Sequence, residues 1–399
     1  MRLRLPNPLR VTQFQRRRLL QLGLGASAAA ALPRGGFAPR SASAQSAREN
    51  EMNLFTWEGY NSDEVLDPFR REFNTRVNAE GLISDPDAVN RLRAGETAVW
   101  DVINLNNSWA RKQLYPGNLI VPLEQERFRP YWDMALPEFE WPYHWAMSED
   151  GTELLGIIQR FGPSGCLINT NEIAKETFEN EGYGMFLEDS MAGRYAVLMY
   201  DDWVIMHACL ASGFSPFREH TDAELATFEE VITKVIGNAA FLSDDLNSIN
   251  LALINGSIIG SFPGSVYTAS TARYDGATHL RCVVPLNGPA EIDGKNGVVW
   301  IELTSLVNNP QLSPRGADFL EYLHRPEVCK AVAFAEGTYN PVVQMGDPEV
   351  MDLFEADELE AIQWDTMEED IARCAEFDEI PDYDKLHALF SAAVRARGA

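Results

Sequence analysis

Val298-Val299-Trp300-Ile301-Glu302-Leu303 is an apolar run with one carboxylate set inside it. Val, Ile and Trp favour extended backbone, so the run reads as a strand. A carboxylate between Ile301 and Leu303 must either face solvent or meet a cation, because an unpaired buried charge is costly. Strand-like runs recur towards the N-terminus: Met52–Trp57, Val99–Leu105, Leu154–Ile158, Gly165–Asn169, Tyr195–Tyr200 and Ser257–Phe262. Helical spacing alternates with them. Val65, Leu66, Phe69 and Phe73 share a face, where Pro68 predicts either a kink or a shorter helix capped by Asp67. Asn107-Ser108 has the composition of a cap for a helix to Leu114. Thr221-Asp222-Ala223-Glu224 has capping-box spacing ahead of Leu225, Phe228, Ile232 and Val235. Ser313-Pro314 and Pro326 open two further helices, the first burying Phe319, Leu320 and Leu323. Strands and helices alternating without repeats predict an α/β protein. No long linker divides the chain, so two domains would be joined by more than one crossing.

The first 44 residues differ in kind, with eight arginines and no Asp or Glu. Gln15-Arg16-Arg17-Arg18-Leu19-Leu20-Gln21, a mildly apolar run over 22–32 and Ala42-Ser43-Ala44 are the three parts of an export signal. Paired arginines before a weakly hydrophobic stretch resemble the twin-arginine type, which predicts a removed segment over 1–44 and a periplasmic product. The whole chain carries a net charge of −26, and the remainder is more acidic still. That excludes nucleic acid as the expected partner, since a duplex binder needs a basic face, and permits a cationic ligand. Five cysteines (Cys166, Cys209, Cys282, Cys329, Cys374) leave at least one thiol without an intramolecular partner. No C-x-x-C, P-loop, H-E-x-x-H or G-x-S-x-G occurs, so no cofactor or metal is expected, and catalytic residues are expected to be none. A secreted hydrolase working with two carboxylates is the enzyme alternative, without a specific motif behind it.

Three stretches together resemble the periplasmic spermidine/putrescine-binding proteins of ABC transporters. They are Leu54-Phe55-Thr56-Trp57-Glu58-Gly59-Tyr60; Trp100–Trp109 with its continuation Gly117–Leu123; and Trp300-Ile301-Glu302 with 319–328 and Gly337-Thr338-Tyr339-Asn340-Pro341. The resemblance implies a bilobed periplasmic-binding-protein fold, two α/β lobes joined by crossing hinge strands with a ligand cleft between them. Lobe 1 would hold 45–157 and 300–345, and lobe 2 158–299 and 346–399, with crossings near 154–162 and 298–303. It implies a monomer that captures a small cationic solute and serves an ABC permease in the cytoplasmic membrane.

Carried over by position, Trp57 and Tyr60 would form one aromatic wall, with Glu58 between them, and Trp300 the opposite wall. Asp202 and Glu302 would take ammonium groups; Asp202 also has the position of an N-cap for a helix over 203–211. Phe262 stands where the family has a Trp, Asn106 and Ser108 where it has Ser and Tyr, and Asp365 near a polar ligand position. Ile205 replaces a second acid that the family carries shortly after Asp202. An amine loses its water to such a site only if carboxylates and aromatic faces replace it. The alternative ligand is another organic solute, amino-acid-like, an opine or an aminophosphonate; an anionic one would need Arg160 or Arg273.

Overall fold

The computed structural model describes residues 48–398; the expected export signal lies outside them. Its strands are β1 (Glu51–Thr56), β2 (Arg76–Gly81), β3 (Val102–Asn106), β4 (Ile120–Val121), β5 (Ile157–Asn169), β6 (Tyr195–Leu198), β7 (Phe241–Ser243), β8 (Gly260–Ser265), β9 (Leu280–Val283), β10 (Gly297–Val307) and β11 (Cys374–Glu376). The helices used below are α1 (Asp63–Glu72), α2 (Asp85–Arg93), α3 (Asp201–Ala211), α4 (Asp222–Asn238), α5 (Leu246–Ile254), α6 (Arg315–Tyr322), α7 (Pro326–Ala333) and α8 (Tyr383–Arg397).

One curled sheet runs β2-β1-β3-β10-β5-β8-β6-β7, with β4, β9 and β11 off this path. Its two ends are parallel, β1 with β2 and β3, and β6 with β7 and β8. Its centre is antiparallel: β10 pairs with both β3 and β5, and β5 with β8 and β9. Parallel strands need covering helices on both faces. In the second end Tyr195 and Val197 join one apolar cluster, with Phe228, Ile232 and Phe390. Ala196 and Leu198 join another on the opposite face, with Ile249 and Leu253. This is the two-residue alternation of a sheet buried on both sides. The first end is packed around Leu54, Phe69, Ile103 and Leu320, a cluster that runs on to Val350, Phe354, Ile362 and Met367. Phe377, Leu386 and Phe390 belong to the second cluster.

The local expectations fared unevenly. The Thr221 capping box forms with both of its hydrogen bonds, and Pro326 takes the first turn of α7. Pro68 neither breaks nor begins a helix: it lies inside α1 on the exposed face, where its missing N–H leaves only a solvent-facing carbonyl. Ser62, not Asp67, caps that helix, accepting from the Val65 N–H at 3.4 Å. Asn107 does not cap the helical turn after β3; its side-chain oxygen accepts from the Ile301 N–H of β10 at 2.6 Å. The two strands expected over 154–158 and 165–169 are one strand, β5, buried along its whole length. Gly162, Pro163 and Gly165 sit where β5 leaves β10 and takes up β8 and β9. All five cysteines are buried and free. Among the described residues no helix is long and apolar enough to cross a membrane.

The passage from one half to the other therefore rests on tight strand contacts. A Cβ at Gly165 would stand 2.3 Å from the Val283 carbonyl oxygen. Gly165→Ala is expected to push β9 off β5 and lower stability by about 1–3 kcal/mol, read as an earlier urea midpoint.

Candidate functional site

In sheets of this kind the carboxyl ends of parallel strands are where ligands are bound, because the chain turns into helices there and leaves side chains free. The sequence-predicted residues fall at such ends. Trp57, Glu58 and Tyr60 follow β1, Asn106 ends β3, and Asp202 lies in the first turn of α3, just after β6. Tyr267 follows β8, and Tyr200 precedes α3.

The centre of this group is a residue that sequence reasoning passed over. Asp85, at the start of α2, is only 3% exposed. Its carboxylate accepts from Trp57 Nε1 at 3.0 Å and from Asn106 Nδ2 at 2.8 Å. Among the described residues no cation pairs with it. Burial pushes its carboxyl up to about 7; the amide of Asn106 opposes the rise, and the charge of Asp202 adds to it. Asp202 is likewise lifted by burial, to about 6, although its carboxylate accepts from the Trp203 N–H at 2.9 Å. Asp201 turns the other way, to His387 of α8 at 3.2 Å. So the charge of Asp202 bears on Asp85, and among the described residues no cation pairs with either carboxyl. Glu58, exposed, projects its charge onto Tyr200 and Tyr267 of the second lobe.

Glu302 behaves differently. It is 4% exposed, and its two oxygens accept from Arg160 Nε at 2.9 Å and Nη2 at 2.8 Å. The Arg160 guanidinium lies over the Tyr60 ring, 5.1 Å from its centroid, and the Arg160 N–H reaches the Tyr60 hydroxyl at 3.4 Å. Burial still pushes the Glu302 carboxyl up, against the pull of Arg160. β5 and β10 are out of step between Ile301 and Leu303, which sets this pair of charges opposite each other inside two apolar strands. Tyr60 is therefore buried beneath a guanidinium and not an open wall. Trp300 is 4% exposed and meets Tyr267 edge-on at 5.8 Å, its Nε1 donating to Ser265 Oγ at 3.1 Å. It lies against Gly162, where a Cβ would stand 3.0 Å from the indole. Ser108 is buried, its hydroxyl without a partner among the described residues.

Two expected residues are not brought to this place. Phe262 is fully buried in the second-lobe core, edge-on to Tyr183, Phe186 and His207. Asp365, with 60% of its side chain exposed, pairs with Arg281 of β9 at 2.9 Å. Arg273, weighed for an anionic ligand, is buried with its nitrogens on the carbonyls of Glu360, Ala361, Thr278 and Leu280. The signal for Asp85 was weak, since Ser84-Asp85-Pro86-Asp87 has the composition of an ordinary helix start, and Ser84 does cap α2.

No family model matches the chain. In sequence it is similar to spermidine/putrescine-binding periplasmic protein 1 of Haemophilus influenzae, 23% identical over 300 residues, which cover 74% of this chain and 77% of that one. In structure it is similar to the TpPotD lipoprotein of Treponema pallidum, with a TM-score of 0.67 and 14% identity over 87% of this chain and 100% of the other. A spermidine/putrescine ABC transporter protein of Listeria monocytogenes gives 0.65 and 13% identity, over 86% and 99%. These relatives are transport-associated binding proteins. The resemblance to spermidine/putrescine-binding proteins holds, and the chain has the periplasmic-binding-protein fold, two α/β lobes joined by the crossing strands β5 and β10.

Proposed function

We propose that this protein is an extracytoplasmic solute-binding receptor of an ABC importer, taking a small amine-bearing solute between its lobes. The observation that carries the reading is the pair Asp85 and Asp202, the first buried and the second half-buried, neither with a counter-charge among the described residues, and near Trp57 and Tyr267. Burying such groups is unfavourable unless a cation arrives to replace their water. An alkylammonium does so, donating to both while its methylenes lie on aromatic faces. Export by the twin-arginine route and work as a monomer with a membrane permease belong to the same proposal. The support for export is the basic, apolar and Ala42-Ser43-Ala44 sequence at the N-terminus; sequencing the exported chain should find Gln45 first.

Titration calorimetry of the protein without residues 1–44 tests the reading against putrescine, spermidine and simple monoamines. At least one amine should bind, and Asp202→Asn should weaken it by about tenfold to a hundredfold, the range of a lost charge-assisted hydrogen bond. Unchanged affinity would remove Asp202 from the site. The same two carboxylates would serve a hydrolase, so the ligand should be recovered chemically intact by mass spectrometry; turnover would overturn the receptor reading.

The raised carboxyls give a pH dependence of definite sign. Unfolded Asp titrates near 3.9, whereas Asp85 titrates at about 7 and Asp202 at about 6 in the folded protein. The folded chain thus holds more protons between those values. Their contribution to stability is full below about pH 4 and lost as pH rises through about 6 to 7. The unliganded protein should melt lower at about pH 8 than at about pH 5 on their account, and Asp85→Asn should raise the melting point at about pH 8 only. An amine needs both acids charged, so its stabilising effect should grow across the same range. Binding near neutrality should release protons, seen as a heat that depends on the buffer's ionisation enthalpy.

A further inference from the structure

β3 and β11 lie end to end along the edge of β10 that faces away from β5. β3 is antiparallel to β10 and ends at Asn106, opposite Glu302, whereas β11 is parallel to it and ends at Glu376, opposite Val299. Two carboxyl ends therefore face each other across Trp300 and Ile301. The chain leaving each end belongs to a different core. After β3 comes a helical turn over 110–114, whose Ala110 and Leu114 pack in the first cluster. After β11 comes Phe377, 3% exposed, which packs in the second.

The residues around these two exits grip one another. Lys112 Nζ donates to both oxygens of Asp378, at 2.6 and 2.7 Å. Gln113 Nε2 donates to Glu379 Oε2 at 2.9 Å, and His144 Nε2 stands 3.1 Å from Glu376 Oε2. Glu376, Asp378 and Glu379 thus all reach the first lobe. Phe377, between them, meets the Trp203 ring of α3 at 5.5 Å. The Trp203 N–H is the group that holds the Asp202 carboxylate at 2.9 Å. Four consecutive residues therefore link the first lobe to an acid of the second.

We propose, resting on the reading of the protein as a two-lobed receptor, that residues 376–379 are a strap that favours the lobes drawn together and, through Phe377 on Trp203, position Asp202. Part-exposed ion pairs such as Lys112–Asp378 contribute little within one rigid body, because water competes for both partners. Joining two bodies that move, the same pairs weigh on the equilibrium between their arrangements. A strap that raises the share of the binding-competent arrangement raises the apparent affinity by the same factor.

The test uses the chain without residues 1–44 in three forms: native, Lys112→Glu, and Lys112→Glu with Asp378→Lys, which restores an opposite-charge pair with the signs exchanged. The Lys112 side chain is 41% exposed, so its replacement leaves the core untouched. Lys112→Glu should weaken putrescine binding by about threefold to tenfold in calorimetry, and the exchanged pair should recover most of that loss. Added negative charge alone would tighten the binding of a cation. Unchanged or tighter binding by Lys112→Glu therefore overturns the strap, and so does a loss that the exchanged pair does not recover. Small-angle scattering of the unliganded forms reads the strap without any solute. Lys112→Glu should have a larger radius of gyration than the native chain, and the exchanged pair should reverse the increase; equal radii in all three overturn the inference. If no amine binds and the radii differ in this way, the strap stands and only the amine reading fails.

Discussion

A carboxylate taken out of water must be compensated, and this protein compensates some of its buried acids but not others. Glu302 accepts from two nitrogens of a guanidinium that itself lies over Tyr60, so its charge is met by a cation. Asp85 receives hydrogen bonds from an indole and an amide, which satisfy its lone pairs without cancelling its charge. Hydrogen bonds from neutral donors soften the desolvation penalty but do not remove it. That is why burial outweighs both donors and the carboxyl titrates near neutrality. Folding carries this cost because the strand ends hold Asp85 in place through Trp57 and Asn106.

The topology explains how such a place can exist. β1, β3 and β6 end near one another because each lobe is a set of parallel strands, and the two sets are joined through the antiparallel strands β5 and β10. The connection is strong in its middle. Gly162 admits the Trp300 indole, and Gly165 admits the Val283 carbonyl, so the crossing strands have little room to slide. Residues just beyond the strand ends are not so bound. Trp57, Tyr200 and Asp202 are part-exposed, while the strand residues before them are buried.

Much of this architecture was legible in residue order because it depends on periodicity. The alternation of strand and helix, the α4 capping box and the run around Trp300 each announce themselves within a few residues. β5 was harder. Gly162, Pro163 and Gly165 locally mark a break, and only two-sided pairing with β8, β9 and β10 makes thirteen residues one strand. The site divides in the same way. Asp202 and Trp300 stand out by position in an ordered set of motifs. Asp85 does not, because an acid after a serine at a helix start is ordinary; what distinguishes it is burial, which depends on Trp57 and Asn106 arriving from elsewhere. Glu302 was visible as a charge inside an apolar run, and Arg160 only as a candidate for an anionic ligand. Their pairing depends on a strand irregularity that no local pattern encodes.

The division of the two acids between lobes has a consequence for motion. When both are ionised they repel, and at a low effective dielectric that repulsion is not small. Drawing the lobes together is then opposed by the pair that a solute would use. A cation between them reverses the sign, since each carboxylate is attracted to it and neither lobe alone supplies both contacts. A ligand moves a conformational equilibrium only by its difference in affinity for the two states. On the proposed reading that difference would arise from geometry: with the lobes apart the amine would meet one acid, and with them together it would meet both and relieve their repulsion. Glu302 and Arg160 are already paired with each other on the crossing strands. On the proposed reading, coupling between binding and closure would fall on Asp85 and Asp202.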